Sequence, residues 1–524
     1  MKKNARVGVF GWGIVAPRSP NIEAFQKNLA AAQTWLAPFN GFGPDNFLVG
    51  TPDFHLEDYQ GWVAERFLPR RFQQLKEKMD FPSLYAIGAF IQSLGQNPGI
   101  EAELQRLGAL CHVYIGTGVG NVATMYDESV RLYKAQRKWN EFWGHPRNNS
   151  ALRAYLASPD EASTVPPNLT APHDSAPFED GDATDAWHSY WTNRSIELRT
   201  YLAELAQIES LAIEGDIGTG KLRVLREKER LYGKLQQKWG APDPPWKVSA
   251  NVIWNIHNTP AAQVSMLGRI TGMTFAPVAA CSSFGVGLRL AIRAIQAGDA
   301  TAVVVGATDP PPHPLIVGSF HTARVLSANG EVSAPLTRFQ GTHIAGGGAV
   351  WIVADYDHMR SLGFQPVGME LLSVGVSSDA HHIITPNQAG PRTAIAQALD
   401  EAGVTPDELG SWDLHATATP GDFSEVETMA AMLPRTVLAT ARKGTFGHGM
   451  SVGGAWELTA QYLGYQTGTL FPTSFSSAEL NPAIAGLHER FVFDTACAAP
   501  PGAVGKLSMG VGGVNACVIS RPWT

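Results

Sequence analysis

Pro277-Val-Ala-Ala-Cys281-Ser-Ser-Phe-Gly-Val-Gly-Leu-Arg-Leu-Ala-Ile-Arg-Ala-Ile-Gln-Ala-Gly298-Asp-Ala-Thr-Ala302-Val-Val-Val-Gly306 is the stretch that decides the fold class. Leu288, Ala291, Ile292 and Ile295 recur at helical spacing, so one face of a helix over Ser283–Ala297 turns to a core. Gly298 is its stop, because glycine takes the left-handed conformation that ends a helix. Ala302–Gly306 then reads as a short, fully buried strand. The alternation repeats along the chain. Strand-like runs fall at Arg6–Phe10, Val113–Gly116, Ala349–Ala354, Trp412–His415, Thr436–Thr440 and Ala516–Ser520. Helical patterns fall at Pro82–Leu94 and at Thr393–Glu401, the latter stopped by Gly403. Strands alternating with helices predict an α/β fold.

The chain has 524 residues, 44% of them hydrophobic and 17% charged, which excludes global disorder. Its net charge is −7, from 40 basic and 47 acidic residues, and it has no basic tract. That argues against nucleic acid as a partner. No apolar run reaches the length of a membrane span. Met1-Lys2-Lys3 followed by Val7–Pro17 mimics a signal peptide, but Gly8, Gly11 and Gly13 fit a first buried strand better. Four cysteines, Cys111, Cys281, Cys497 and Cys517, make no CxxC pair, so no metal site is expected and the chain fits a reducing cytoplasm.

Residues 127–245 break the rhythm: the stretch is polar, charged and without a clear strand. It holds a loop-like run over Ser158–Asp185 and a charged helical pattern over Ser195–Lys238, interrupted at Gly215–Gly220. Trp139, Trp143, Trp187, Trp191 and Trp239 gather there and read as a local core. Gly215-Asp-Ile-Gly-Thr-Gly220-Lys221-Leu222 imitates a phosphate-binding loop, but Leu222 stands where a Mg²⁺-holding Ser or Thr belongs and no strand precedes it. It reads as a break between two helices.

Candidate chemistry lies at turns. Cys281 opens the Ser283 helix, where the positive end of the helix dipole favours thiolate. His415 follows a strand and opens His415-Ala-Thr-Ala-Thr-Pro-Gly-Asp422-Phe-Ser-Glu425; His448 lies in Lys443-Gly-Thr-Phe-Gly447-His448-Gly-Met-Ser-Val-Gly453-Gly454-Ala-Trp-Glu457. Both are turns of the kind where α/β proteins place their sites. Met509-Gly510-Val511-Gly512-Gly513-Val514-Asn515 lets backbone N–H groups turn inward on a ligand.

The order of these motifs resembles the β-ketoacyl-acyl carrier protein synthases of the elongating type, in the thiolase superfamily. The resemblance rests on Ala279–Ser283, His415–Glu425, Lys443–Gly454 and Gly510–Asn515, with Arg6–Pro17, Ile115-Gly-Thr-Gly-Val-Gly and Ser378–His382 in support. It covers residues 6–125 and 246–522. It implies the thiolase fold, a five-layer αβαβα sandwich of two similar halves, here 1–334 with the 127–245 helical insertion and 335–524. It further implies that Cys281 accepts an acyl group and that His415 and His448 stabilise the enolate left when a malonyl thioester loses CO₂. Cys281 and Val511 would supply the oxyanion-hole N–H groups. Lys443 and Glu425 would form a supporting pair, and Thr417, Thr419, Gly512 and Gly513 would hold substrate. No cofactor is implied. The implied partners are an acyl carrier protein with its phosphopantetheine thioester and a second copy of the chain in a homodimer.

The sequence departs from the family at Ala279, Ala416, Ala418, Gly347 and Val511, the last in place of a gating Phe, and lacks one residue before Gly421. Phe320, Phe446 and Trp254 are candidate replacements for that gate. Three functions stay open: an elongating synthase, a priming or specialised synthase using acyl-CoA, and a silent ketosynthase-like partner subunit. A degradative thiolase would need a second motif cysteine, and neither Cys497 nor Cys517 lies in one.

Overall fold

The computed structural model describes residues 5–43, 46–158, 166, 169, 181–212, 217–383 and 387–523. They group into two compact units, one reaching residue 124 and resuming at 251, the other spanning 125–250.

The first unit is built on one ten-stranded sheet. Its strands are β1 (Val7–Val15), β2 (Cys111–Gly116), β3 (Thr274–Phe275), β4 (Ala302–Asp309), β5 (Gly347–Asp355), β6 (Glu370–Ser378), β7 (Leu409–Asp413), β8 (Leu438–Thr440), β9 (Ala503–Gly510) and β10 (Val514–Arg521). The order β8-β7-β9-β10-β6-β1-β5-β4-β2-β3 hides a repeat. Read outward from the centre, β1-β5-β4-β2-β3 and β6-β10-β9-β7-β8 use their five strands in the same sequence. Within the sheet, β1 pairs with β6 through Val7 with Leu371 and Gly8 with Glu370.

Six helices make the layers. They are α1 (Phe81–Ser93), α2 (Thr259–Gly268), α3 (Ser283–Ala297), α4 (Ala389–Ala402), α5 (Gly421–Met432) and α6 (Gly453–Gln466). Helices α1 and α2 pack outside the first half-sheet, where Phe90 and Val264 meet Val113, Val304 and Ile352. Helices α3 and α6 lie between the half-sheets around Phe284, Leu288, Trp351 and Trp456. Helices α4 and α5 close the far side over Trp412 and Leu507. This is the five-layer thiolase fold that the motif order implies. The expected stops hold, with Gly298 at φ +84° and Gly403 at φ +63°.

The glycines of β1 have a packing cause. A Cβ on Gly11 would lie 2.0 Å from the Ser93 carbonyl oxygen, and one on Gly13 would lie 1.9 Å from that of Ala89. Helix α1 therefore presses its backbone on the strand, which only glycine permits.

One boundary needs correction. β5 pairs antiparallel with β1 over Val7–Val15, so the first half keeps its fifth strand until Asp355. The division falls between β5 and β6, not at residue 334.

The 125–250 unit is helical. Its described helices include Ser150–Ala157, Ile196–Glu209 and Ile217–Trp239, and Val122–Trp143 enters it. Trp139 and Trp143 are buried with Tyr201, Leu205 and Leu235, with Trp239 packed against them; Trp187 and Trp191 bury with Leu152. The tryptophans are local core, as expected. Most of the loop-like Ser158–Asp185 run lies outside the described residues, as do 213–216. Lys221 and Leu222 stand within the helix Ile217–Trp239, so no phosphate loop forms at them.

Candidate active site

A cavity of about 290 Å³ opens where the two halves bring the ends of their strands together, lined by Cys281, His415, His448, Thr417, Thr419 and Val511 among others. Cys281 sits on a single 3₁₀ turn, Ala280–Ser282, that runs into α3. The Ser282 hydroxyl donates to the Ser508 and Val514 carbonyls at 3.1 and 2.7 Å and ties this turn to the ends of β9 and β10. Those strands carry the Gly510–Gly513 turn. The Val511 and Cys281 N–H groups consequently act on the Cys281 sulfur, favouring its anion.

His448 Nε2 is 3.2 Å from Cys281 Sγ, and its ring stands edge-on to that of His415 with centroids 5.4 Å apart. The other ring nitrogens set the tautomers. His448 Nδ1 accepts the Met450 N–H at 3.3 Å, and His415 Nδ1 lies 3.5 Å from Lys443 Nζ. Each Nδ1 faces a donor, so each proton sits on Nε2. Burial, then the charge of Lys443, holds both imidazoles well below the usual histidine range. The site therefore presents two neutral N–H donors.

The expectation of a resting thiolate is corrected. Burial pushes the Cys281 thiol up to about 11; Lys443 and the Val511 N–H only partly offset it. The helix start is present, but desolvation of the anion outweighs it.

The supporting pair is corrected too. Lys443 does not pair with Glu425: its Nζ is 2.6 Å from Glu457 Oε1 and also donates to the His415 carbonyl. Glu425 instead receives the His415 and Ala416 N–H groups at 2.7 and 2.8 Å, and so fixes the turn after β7. Asp422 receives the Thr417 and Ala418 N–H groups at 2.7 and 3.0 Å. The hydroxyls of Thr417 and Thr419 lie 3.0 Å apart on the cavity wall. Gly512 and Gly513 direct their N–H groups elsewhere, to the Ile383 carbonyl at 2.7 Å and the Gly510 carbonyl at 2.9 Å. Of the expected backbone donors, those of Cys281 and Val511 are the ones whose influence reaches the sulfur.

Sequence reading missed an ionic network behind the histidines. Lys506 joins Glu457 at 2.8 Å and Asp413 at 3.5 Å, and Arg442 joins Asp413 at 3.2 Å. A lysine inside the apolar strand Ala503–Gly510 was the available signal, since a fully buried charge demands a partner.

Ala418 stands at φ +59°, where the resembled motif has glycine. A Cβ is strained there. Ala418→Gly is expected to raise stability by about 0.5–1 kcal/mol, read as a higher urea midpoint at unchanged slope.

Comparison with known families follows the same residues. The β-ketoacyl synthase N-terminal domain model matches residues 223–358, and the C-terminal domain model matches 369–475. Over these two ranges the chain is similar to the β-ketoacyl synthase family. The break between the two matches agrees with the division after β5, while β1 and β2 complete the first half outside the matched ranges. A 3-oxoacyl-[acyl-carrier-protein] synthase 2 of Vibrio cholerae is 29% identical over 252 residues, 46% of this chain and 59% of that protein. The mitochondrial 3-oxoacyl-[acyl-carrier-protein] synthase of Arabidopsis thaliana is 31% identical over 214 residues, 38% of this chain and 46% of that protein. The chain thus spans about half the length of these relatives. A solved type II PKS acyl-carrier protein in complex with its ketosynthase superposes at TM-score 0.67 over 99% of this chain and 100% of that one, at 16% identity, which shows the shared fold. Among the described residues no helix is long and apolar enough to cross a membrane.

Proposed function

We propose that this protein is a β-ketoacyl synthase: Cys281 takes an acyl group from a thioester, and the acyl-enzyme condenses with a malonyl thioester on an acyl carrier protein. The observation that carries this reading is the meeting of Cys281, His415 and His448 on one cavity, with His448 Nε2 3.2 Å from the Cys281 sulfur and the two imidazoles edge to face.

In the first half-reaction sulfur attacks the acyl carbonyl, the C–S bond to the donor breaks, and the thiol proton ends on the departing thiol. The Cys281 and Val511 N–H groups are proposed to receive the oxyanion of that step, and His448 Nε2–H to stabilise the sulfur as it gains charge. In the second, malonyl C–C cleavage releases CO₂ and leaves an enolate. Its oxygen takes the two Nε2–H bonds. The enolate carbon then attacks the Cys281 thioester and returns the sulfur. Thr417 and Thr419 are proposed to meet the phosphopantetheine arm. Cys281, His415 and His448 are all assembled, which favours an active enzyme over a silent partner subunit. Four free cysteines suit a reducing cytoplasm. A homodimer is supported by the sheet's open end at β3, where Met273 and Val278 are 53% and 58% exposed.

The test is mass spectrometry of the protein after incubation with acyl-CoA or acyl carrier thioesters, followed by a malonyl thioester. An acyl adduct on Cys281 that disappears as a β-keto product forms supports the reading; no adduct from any donor overturns it. The preferred donor separates elongation from priming.

Val511 sets a further expectation. It lines the cavity and is 47% exposed; of the three aromatic candidates for a gate, Phe320 alone lines it, because Phe446 is buried against Phe25, Trp35 and Trp456 and Trp254 is absent from the lining. Valine is stiff and small, and cannot sweep the space a phenylalanine would. Val511→Phe is expected to slow Cys281 acylation by long and branched donors about tenfold more than by short ones. An equal effect on all donors would show that this space is not used by the acyl chain.

A further inference from the structure

Lys506 lies within β9 with its side chain fully buried, and an unpaired ammonium there would be costly. What it holds explains its place. Its Nζ is 2.8 Å from Glu457 Oε2 and 3.5 Å from Asp413 Oδ1, and it donates to the Leu507 and Leu414 carbonyls at 2.6 and 3.3 Å. Lys443 takes the other oxygen of Glu457 and the next carbonyl along the chain, that of His415. Two ammonium groups thus share one carboxylate and grip consecutive peptide carbonyls just past β7.

We propose that Lys506 is a positioning residue for His415: through Glu457 and the Leu414 carbonyl it clamps the peptide carrying that histidine, while Lys443 holds the His415 carbonyl and the other oxygen of Glu457. The inference rests on the ketosynthase reading, because His415 must present its Nε2–H at a fixed angle for the enolate.

The charges facing Lys506 come from every element around it: Glu457 from α6, Asp413 from β7, Glu425 from α5, and the Cys517 thiol from β10. Arg442 and Lys443 lie on the segment after β8, and the field of Lys506 reaches both histidines. In direct ionic contact, Lys443, Lys506 and Arg442 face only Glu457 and Asp413. Glu425, when ionised, is a third carboxylate facing Lys506. Burial pushes Glu425 up to about 7, and Lys506 is the largest influence pulling it back down. Without Lys506, Glu425 takes a proton at higher pH and ceases to be a two-oxygen acceptor. His415 simultaneously loses a cation that disfavours its own protonation. Both changes move the acid limb of malonyl decarboxylation in the same direction, upward.

The experiment measures CO₂ release from malonyl-CoA and malonyl carrier protein between pH 5 and 9 for wild type, Lys506→Met and Lys506→Arg. Lys506→Met is expected to raise the acid limb by about one pH unit, the scale of losing a nearby opposite charge. Lys506→Arg, which keeps the charge, is expected to leave the limb within a few tenths of a unit of wild type even if kcat falls. A merely structural lysine predicts lower kcat in both variants at an unmoved limb, and that result would overturn the proposal. Should Lys506→Met fail to fold, Lys506→Met combined with Asp413→Leu and Arg442→Met removes the extended network as a set and keeps the Lys443–Glu457 pair; the same shift is expected, and an unmoved limb there is equally fatal. A wild type that releases no CO₂ defeats the ketosynthase reading and this inference with it. A wild type that does, beside an unmoved limb in the variants, defeats only the role of Lys506.

Discussion

Cys281→Ser is expected to abolish acyl-enzyme formation and condensation, by on the order of a thousandfold or more, while sparing malonyl decarboxylation. The split follows from the geometry. Sulfur is the atom that takes the acyl group, and among the described residues that line the cavity Cys281 alone carries a thiol. The enolate donors, His415 and His448, remain in the serine variant. Because burial holds the Cys281 thiol up near about 11, alkylation of wild type by iodoacetamide is expected to keep accelerating through pH 9 rather than level off near 7. An alkylation rate flat above pH 7 would show a resting thiolate and restore the helix dipole as the dominant influence. Acylation of the serine variant at the parental rate would remove Cys281 from the mechanism.

How much of this was legible in the sequence depends on where each signal is stored. Cys281, His415 and His448 announce themselves because each opens or closes an element among small residues, and the helix stops at Gly298 and Gly403 are local chemistry. The missed strands failed for three different reasons. β3 is two residues long and carries no period. β6, Glu-Leu-Leu-Ser-Val-Gly-Val-Ser-Ser, has its apolar run broken by Ser373 and Gly375, and Gly375 is where α4 comes down, since a Cβ there would lie 2.0 Å from the Ala394 carbonyl oxygen. β9 is masked by Lys506, a charge that only the distant Glu457 and Asp413 make tolerable. The same blindness to tertiary partners explains the two site corrections. A sequence can place a cysteine at a helix start, but not the burial that raises its pKa. It can place Glu425 and Glu457 near Lys443, but not decide which carboxylate is already occupied by the His415 and Ala416 N–H groups.

The two histidines should separate from each other under substitution. His415→Ala and His448→Ala each delete one Nε2–H donor to the enolate, and each is expected to lower malonyl decarboxylation about a hundredfold, the scale of a single oxyanion-type hydrogen bond. Their effects on acylation should differ. The 3.2 Å contact to Cys281 Sγ belongs to His448, so His448→Ala is expected to slow acylation as well, whereas His415→Ala should leave it within a few fold. The pH dependence has a definite sign. A protonated His415 would turn an Nδ1–H toward Lys443 Nζ, and a protonated His448 would turn one toward the Met450 N–H, donor against donor. Both imidazoles are therefore held well below the ordinary histidine value, so neither titrates at 6.5, and the acid limb of wild-type decarboxylation instead follows Glu425, which burial raises to about 7. Rates followed by CO₂ release across that range, beside acyl-adduct formation by mass spectrometry, test both statements together. An acid limb left in place by Glu425→Gln would mean that a histidine titrates as if exposed, and equal acylation defects in the two alanine variants would mean that His448 has no special hold on the sulfur.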